Sequence, residues 1–127
     1  MRTVQRVTRT ILAAAVCLAA GIAGAHADSF GAISLSPSTG ASGWAHDFTS
    51  RWQAEDAAQN YCHRNARDCR VAIWFKNSCG AVARGPDGGW GADWAEDSRS
   101  AQRAALAACS RHSYNCQVIR WQCSGGY

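Results

Sequence analysis

The chain states nearly the same sequence twice, and that duplication constrains its fold more than any other feature. Cys62-His-Arg-Asn-Ala-Arg-Asp-Cys69-Arg-Val-Ala-Ile-Trp74 returns 47 residues later as Cys109-Ser-Arg-His-Ser-Tyr-Asn-Cys116-Gln-Val-Ile-Arg-Trp121. Upstream, Gly31-Ala32-Ile33 with Pro37 and Gly40 returns 49 residues later as Gly80-Ala81-Val82 with Pro86 and Gly89. Architecture, disulfide pairing and the placing of strands and helices follow from the repeat. A reaction does not.

Each copy reads as strand, turn, strand, helix, strand. In the first, Phe30 to Ser36 and Ser42 to Phe48 are strand-like around Pro37-Ser38-Thr39-Gly40. In the second, Cys79 to Gly85 and Trp90 to Glu96 flank Pro86-Asp87-Gly88-Gly89. Proline presets φ at the first central turn position, aspartate bonds back to the backbone, and glycine accepts positive φ, so both are hairpin turns. Ala54, Ala57, Ala58, Tyr61 and Cys62 make a stripe of helical period, and Ala101, Ala104, Ala105, Ala108 and Cys109 repeat it. Ser50 with Gln53 predicts a capping box, and Asp97 or Ser98 predicts the second cap. The closing strands are Arg70 to Lys76 and Gln117 to Gln122. In the first of them Val71, Ile73 and Phe75 alternate with Ala72 and Trp74, so both faces are apolar and the strand should be central or covered.

Residues 1–27 read as a cleaved signal peptide. Arg2, Arg6 and Arg9 precede an apolar run, and Ala25-His26-Ala27 has the small-x-small form of a signal-peptidase site. The run is too short and alanine-rich for a spanning helix, which needs about 20 apolar residues. The formal charge of +4 includes those three arginines, and the remainder, residues 28–127, sits near +1. A nucleic-acid footprint needs a concentrated basic face, which is absent. What remains predicts one secreted or periplasmic domain of two repeats, 30–76 and 79–123, monomeric and without stable membrane insertion.

Of the seven cysteines, Cys17 leaves with the signal, and six in an exported chain imply three disulfides. The repeat selects among the pairings. Cys62 ends a helix and Cys69 opens the next strand, as do Cys109 and Cys116, so Cys62–Cys69 and Cys109–Cys116 are the symmetric bridges. Cys79–Cys123 remains. That bridge sets the first strand of its copy beside the end of the third, antiparallel, giving strand order 2-1-3 with the helix on one face. Six residues stand between the cysteines of each short pair, and no Cys-x-x-Cys occurs, which argues against zinc; no metal or cofactor is expected. The fold class is therefore α+β: two tandem β-β-α-β repeats with pseudo-two-fold symmetry, mainly antiparallel sheet with two helices, stapled by disulfides.

Gly31-Ala32-Ile33-Ser34 with Pro37-Ser38-Thr39-Gly40, Trp74-Phe75-Lys76-Asn77-Ser78-Cys79-Gly80-Ala81, and Gly85-Pro86-Asp87-Gly88-Gly89-Trp90-Gly91 together resemble domain-of-unknown-function family 4189. The resemblance spans essentially all of 28–127. It implies a small protein exported by bacteria, and it carries no catalytic residue across.

Six tryptophans are the main candidates for function. Trp74 and Trp121 occupy equivalent places and read as core. Trp44, Trp90 and Trp94 lie on the second strand of each copy beside glycines, and Trp90 and Trp94 fall on one strand face. Exposed, and flanked by Asp87 and Asp93, they would suit a partner's apolar anchor or a sugar ring. The predicted role is a non-catalytic binding module for a protein partner, of inhibitor or immunity type, or for an envelope glycan. The alternative is a small cell-wall hydrolase using Asp93, Glu96 and Asp97, since paired carboxylates can perform acid–base hydrolysis; Glu96 and Asp97 also suit a helix N-terminus. His46 and Asp47, adjacent on a strand, should point to opposite faces and form no dyad. His63 and His112 fall at helix C-termini.

Overall fold

The computed structural model describes residues 27–126; the predicted signal segment with Cys17 falls outside the described residues, apart from Ala27. Eight elements follow in order: β1 (Phe30–Leu35), β2 (Ser42–Phe48), α1 (Arg51–Cys62), β3 (Arg70–Lys76), β4 (Cys79–Arg84), β5 (Trp90–Ala95), α2 (Ser98–Ser110) and β6 (Gln117–Cys123). They form two three-stranded sheets of order β2-β1-β3 and β5-β4-β6, every ladder antiparallel. The 2-1-3 order thus holds in both copies.

Three apolar layers hold these elements together. Ala54 and Ala58 of α1 pack on Ala32 and Ala45. Ala101, Ala105 and Cys109 of α2 pack on Ala81 and Ala83. Ile33, Leu35, Phe75 and Val82 make a third layer between the two sheets, joined by Trp44, Trp90 and Ile119. The order is helix, sheet, sheet, helix. Small side chains let each helix lie close on its sheet, closest at Gly43 and Gly91. A Cβ there would fall inside 3.0 Å of α1 backbone at Ala58 and Cys62, or of α2 backbone at Ala108 and Cys109.

Helix ends follow the sequence with one difference. Ser50 accepts from the Gln53 amide, and Asp97 accepts from the Ser100 amide. The reciprocal half of the first capping box is missing, because Gln53 Oε1 takes its hydrogen bond from Thr49.

All three disulfides form as the repeat dictates: Cys62–Cys69, Cys109–Cys116 and Cys79–Cys123. Cys79 lies opposite Cys123 in the ladder, and Phe30 lies opposite Lys76 at the equivalent place. One copy thus closes with a covalent bond where the other has only strand pairing.

Strand β3 lies at the edge of its sheet and is covered on both faces, by α1 and by the other sheet, as its two apolar faces require. Two other expectations about the closing strands need correction. The alternation of β3 breaks, because Ile33 pairs with Ile73 while Ser34 pairs with Val71. The extra residue, Ala72, joins Ile73 between the sheets, and Val71 shares a face with Ser34. Strand β6 has the same irregularity, between Arg120 and Val118. Trp74 packs half-buried against Phe30 and under the Arg51 guanidinium. Trp121 is 46% exposed, so it is no core residue; it lies opposite Ala81 on an edge strand that α2 covers only in part.

Polar ties join each hairpin turn to the loop after its helix, with donor and acceptor exchanged between copies. The turn hydroxyl of Ser36 donates to Asp68 of the loop, and the loop hydroxyl of Ser113 donates to Asp87 of the turn. Arg84 links the turns, reaching the Pro37 and Ser38 carbonyl oxygens at 3.0 and 3.3 Å. A second network joins the copies, as Ser124 Oγ bonds Ser29 Oγ and the Asp47 amide, and Asp47 accepts from Ser29 Oγ and the Gly125 amide.

These bonds make the fold sensitive to acid. The Gly125 amide, followed by His46 and Ser29, lowers Asp47 to about 2, and the Ser36 hydroxyl lowers Asp68 to about 2, from an ordinary 3.8. A carboxylate whose folded pKa is depressed adds stability above its unfolded value and loses it as pH falls through the folded one. Urea midpoints should hold between pH 5 and 7 and drop between about pH 4 and 2. Asp47→Asn and Asp68→Asn should each flatten that drop; unchanged pH profiles would show that these bonds do not couple to folding.

Candidate functional site

At one side of the sandwich the edge strands β3 and β5 lie close together, and two grooves open along them. The first, about 430 Å³, is lined by Ile73, Trp74, Phe75, Lys76, Ser78 and Trp94. Four of these are consecutive residues of β3, so the groove runs along the strand's edge and takes side chains from both faces. Trp94, 55% exposed, is its wall from the other sheet. Lys76 at the groove is paired with Asp28 at 3.3 Å.

The second groove, about 590 Å³, follows consecutive residues from Gly88 to Ala92, with Arg70, Arg111 and His112 around it. Strand β5 therefore passes through both grooves: Trp90 and Ala92 line the basic one and Trp94 the apolar one.

The structure disperses the predicted tryptophan site. Trp90 and Trp94 share a face, but that face packs between the sheets, so Trp90 is half-buried in the inter-sheet layer and only Trp94 emerges. Trp44 is in the same layer, with the Arg120 guanidinium 3.2 Å from its ring centroid and Tyr61 at 4.6 Å. Its ring faces are thus engaged within the fold. Asp93 pairs with Ala81, an α2-facing core residue, so it lies on the opposite face of β5 from the tryptophans. Its Oδ1 accepts from the Trp94 amide at 2.8 Å. Asp87 accepts from Ser113 and from the Gly89 amide, and these bonds hold its carboxyl below the usual range.

Of the carboxylates proposed for hydrolysis, Asp97 has a structural duty. Asp97 accepts from both the amide and the hydroxyl of Ser100 at 2.8 Å, which keeps its pKa low and unsuited to donating a proton near neutrality. Glu96 is exposed, ahead of that cap.

His46 and Asp47 do form a pair, contrary to the strand argument. Asp47 has φ 60°, in an irregular stretch of the β1–β2 ladder, so the two side chains do not alternate, and His46 Nδ1 lies 2.8 Å from Asp47 Oδ2. The nearby hydroxyl, Ser29 Oγ, bonds the carboxylate at 2.9 Å. A nucleophile needs its hydroxyl on the imidazole, so this chain of contacts has the wrong order for a triad. Among the described residues there is no cluster of three metal-binding side chains, and no helix is long and apolar enough to cross a membrane.

The groove residues Ile73, Phe75, Lys76 and Ser78, and the cations Arg70, Arg111 and His112, escaped the sequence argument. Each looks like ordinary strand or helix-end composition. They converge only because two edge strands meet, and nothing in a repeat says which faces of two sheets will stack.

Similar sequence and a similar fold are found outside this chain. The family model for the domain of unknown function DUF4189 matches residues 30–123. The chain belongs to that family. It is also similar to the structure described as "NMR structure of Rv1813c from Mycobacterium tuberculosis", with TM-score 0.54 and 27% identity over 75% of this chain and 74% of that one. No curated protein matches. The family match begins and ends with the two repeats, from the first residue of β1 to the last of β6.

Proposed function

We propose that this DUF4189 member is an exported, non-catalytic binding module that seats an apolar side chain of a partner protein in the Trp94 groove. The observation that carries this reading is a large aromatic left 55% exposed beside an apolar groove, on a scaffold held by three disulfides. Exposed aromatics in preformed pockets are typical binding hot spots, and a rigid scaffold lowers the cost of ordering on association. Bridges in each copy also favour an oxidising compartment, secreted or periplasmic. A glycan is the second reading. It is less well supported, because sugar recognition wants polar groups converging beside the ring, and Asp93 lies on the other face of β5.

Affinity capture from envelope extracts, using the oxidised domain and its Trp94→Ala variant, tests this. The captured protein should fall at least tenfold with Trp94→Ala while near-ultraviolet circular dichroism keeps its folded shape. Trp90→Ala should instead perturb the fold. Undiminished capture by Trp94→Ala would remove the groove from the function.

A further inference from the structure

We infer that the free edge of β5 receives an extended segment of a partner protein, acidic at one end and apolar at the other, as an added strand. The inference rests on the reading of Trp94 as an anchor site and says how the rest of the partner is held.

Strand β5 ends its sheet, hydrogen-bonded among the described residues to β4 alone, with an unbroken register from Trp90 to Ala95. An unpaired strand edge presents main-chain donors and acceptors, the template for β-augmentation. Asp93 blunts it at one point by taking the Trp94 amide. In an antiparallel ladder, residues two apart direct their main-chain groups to the same side, so Ala92 and Trp90 share the outward side with Trp94. Both line the basic groove.

Charge decides the occupant. Arg70, Arg111 and His112 surround the Trp90 end, no carboxylate lines that groove, and neither arginine has an ion pair among the described residues. The Trp94 end is apolar, and its one cation, Lys76, is already paired with Asp28. A strand rises about 3.3 Å per residue, so the two ends are about four residues apart along an added strand. A segment with a carboxylate at one end and a bulky apolar side chain four residues away satisfies both grooves while its backbone pairs with Trp90 and Ala92. Antiparallel pairing with a second copy's β5 would instead turn the arginines toward the apolar Lys76 end, which favours a heterologous partner.

The test is selection of a displayed random heptapeptide library on the oxidised domain, followed by amide exchange with the synthetic consensus peptide. The selected peptides should share an acidic residue and an apolar residue about four positions apart. Bound peptide should slow exchange of the Trp90 and Ala92 amides at least tenfold, and Arg70→Glu with Arg111→Glu should weaken binding at least tenfold. Absent enrichment, a basic consensus, protection on β2, β3 or β6 instead, or a dimer formed through β5 in sedimentation would each overturn the strand addition. If Trp94→Ala abolishes peptide binding while the charge reversals and β5 exchange change nothing, the anchor reading survives and this one fails.

Discussion

Gly91→Ala, and Gly43→Ala in the other copy, should each destabilise the domain by about 3 kcal/mol or more, at the upper end of overpacking costs. The reason lies in what the added methyl would strike. At Gly91 it meets the Cys109 amide and the Ala108 carbonyl carbon; at Gly43 it meets the Ala58 carbonyl oxygen and the Cys62 amide. All are helix backbone, which has no rotamer to change, and each helix is pinned there by a disulfide starting at Cys62 or Cys109. Relief requires lifting a helix off its sheet, and that opens the alanine layer the packing depends on. Urea unfolding reads the loss directly, with Gly126→Ala as control, since a Cβ there meets nothing within 4 Å. If Gly91→Ala unfolds at the parental midpoint, the close approach of α2 to β5 is wrong.

Removing Cys79–Cys123 by a double change to serine should cost about 4 kcal/mol, against about 2.5 kcal/mol for either short bridge, from loop-closure entropy. The difference follows from sequence separation, 44 residues for the long bridge against 7 for each short one. Small domains have about 5–15 kcal/mol in total, so the long bridge is a substantial share of the fold. The double variant should unfold at a clearly lower urea concentration than the Cys62/Cys69 or Cys109/Cys116 double variants. Equal midpoints for all three would mean that the unfolded chain is already compact around the second repeat, and the entropic account would fail.

Local pattern made most of the elements legible. The alanine stripes announced α1 and α2, Pro-Asp-Gly-Gly announced a hairpin, and equivalence of Cys62–Cys69 with Cys109–Cys116 left one partner each for Cys79 and Cys123. That bridge in turn implied the strand order. What the pattern could not carry was anything set by contact between the copies. Ile73 and Phe75 look the same on a strand facing a helix as on one facing a second sheet. Trp121 matches Trp74 by position, yet among the described residues no equivalent of Phe30 and Arg51 covers it. Bulges at Ala72 and Ile119 leave no signature in residue type, and the positive φ of Asp47 brought His46 onto a carboxylate that strand geometry had placed away. Trp94 could be named from sequence, but its groove could not, because its other wall is β3 of the first copy.

Phe75 shows what fusing two repeats into one chain makes possible. Its ring sits where a Cβ on Gly31 and a Cβ on Gly80 would both collide with it, and those glycines are the same position of the two repeats. A side chain in contact with both members of an equivalent pair stands near the pseudo-symmetry axis, where there is room for one ring and not for its mate. In the other repeat the place of Phe75 is taken by Gln122, opposite Gly80. Two identical free units meeting across that axis would bring two such rings into one space. Joining them end to end lets the two positions evolve apart, so the inner face of this protein is asymmetric where a dimer of identical halves would have to be hollow or smaller.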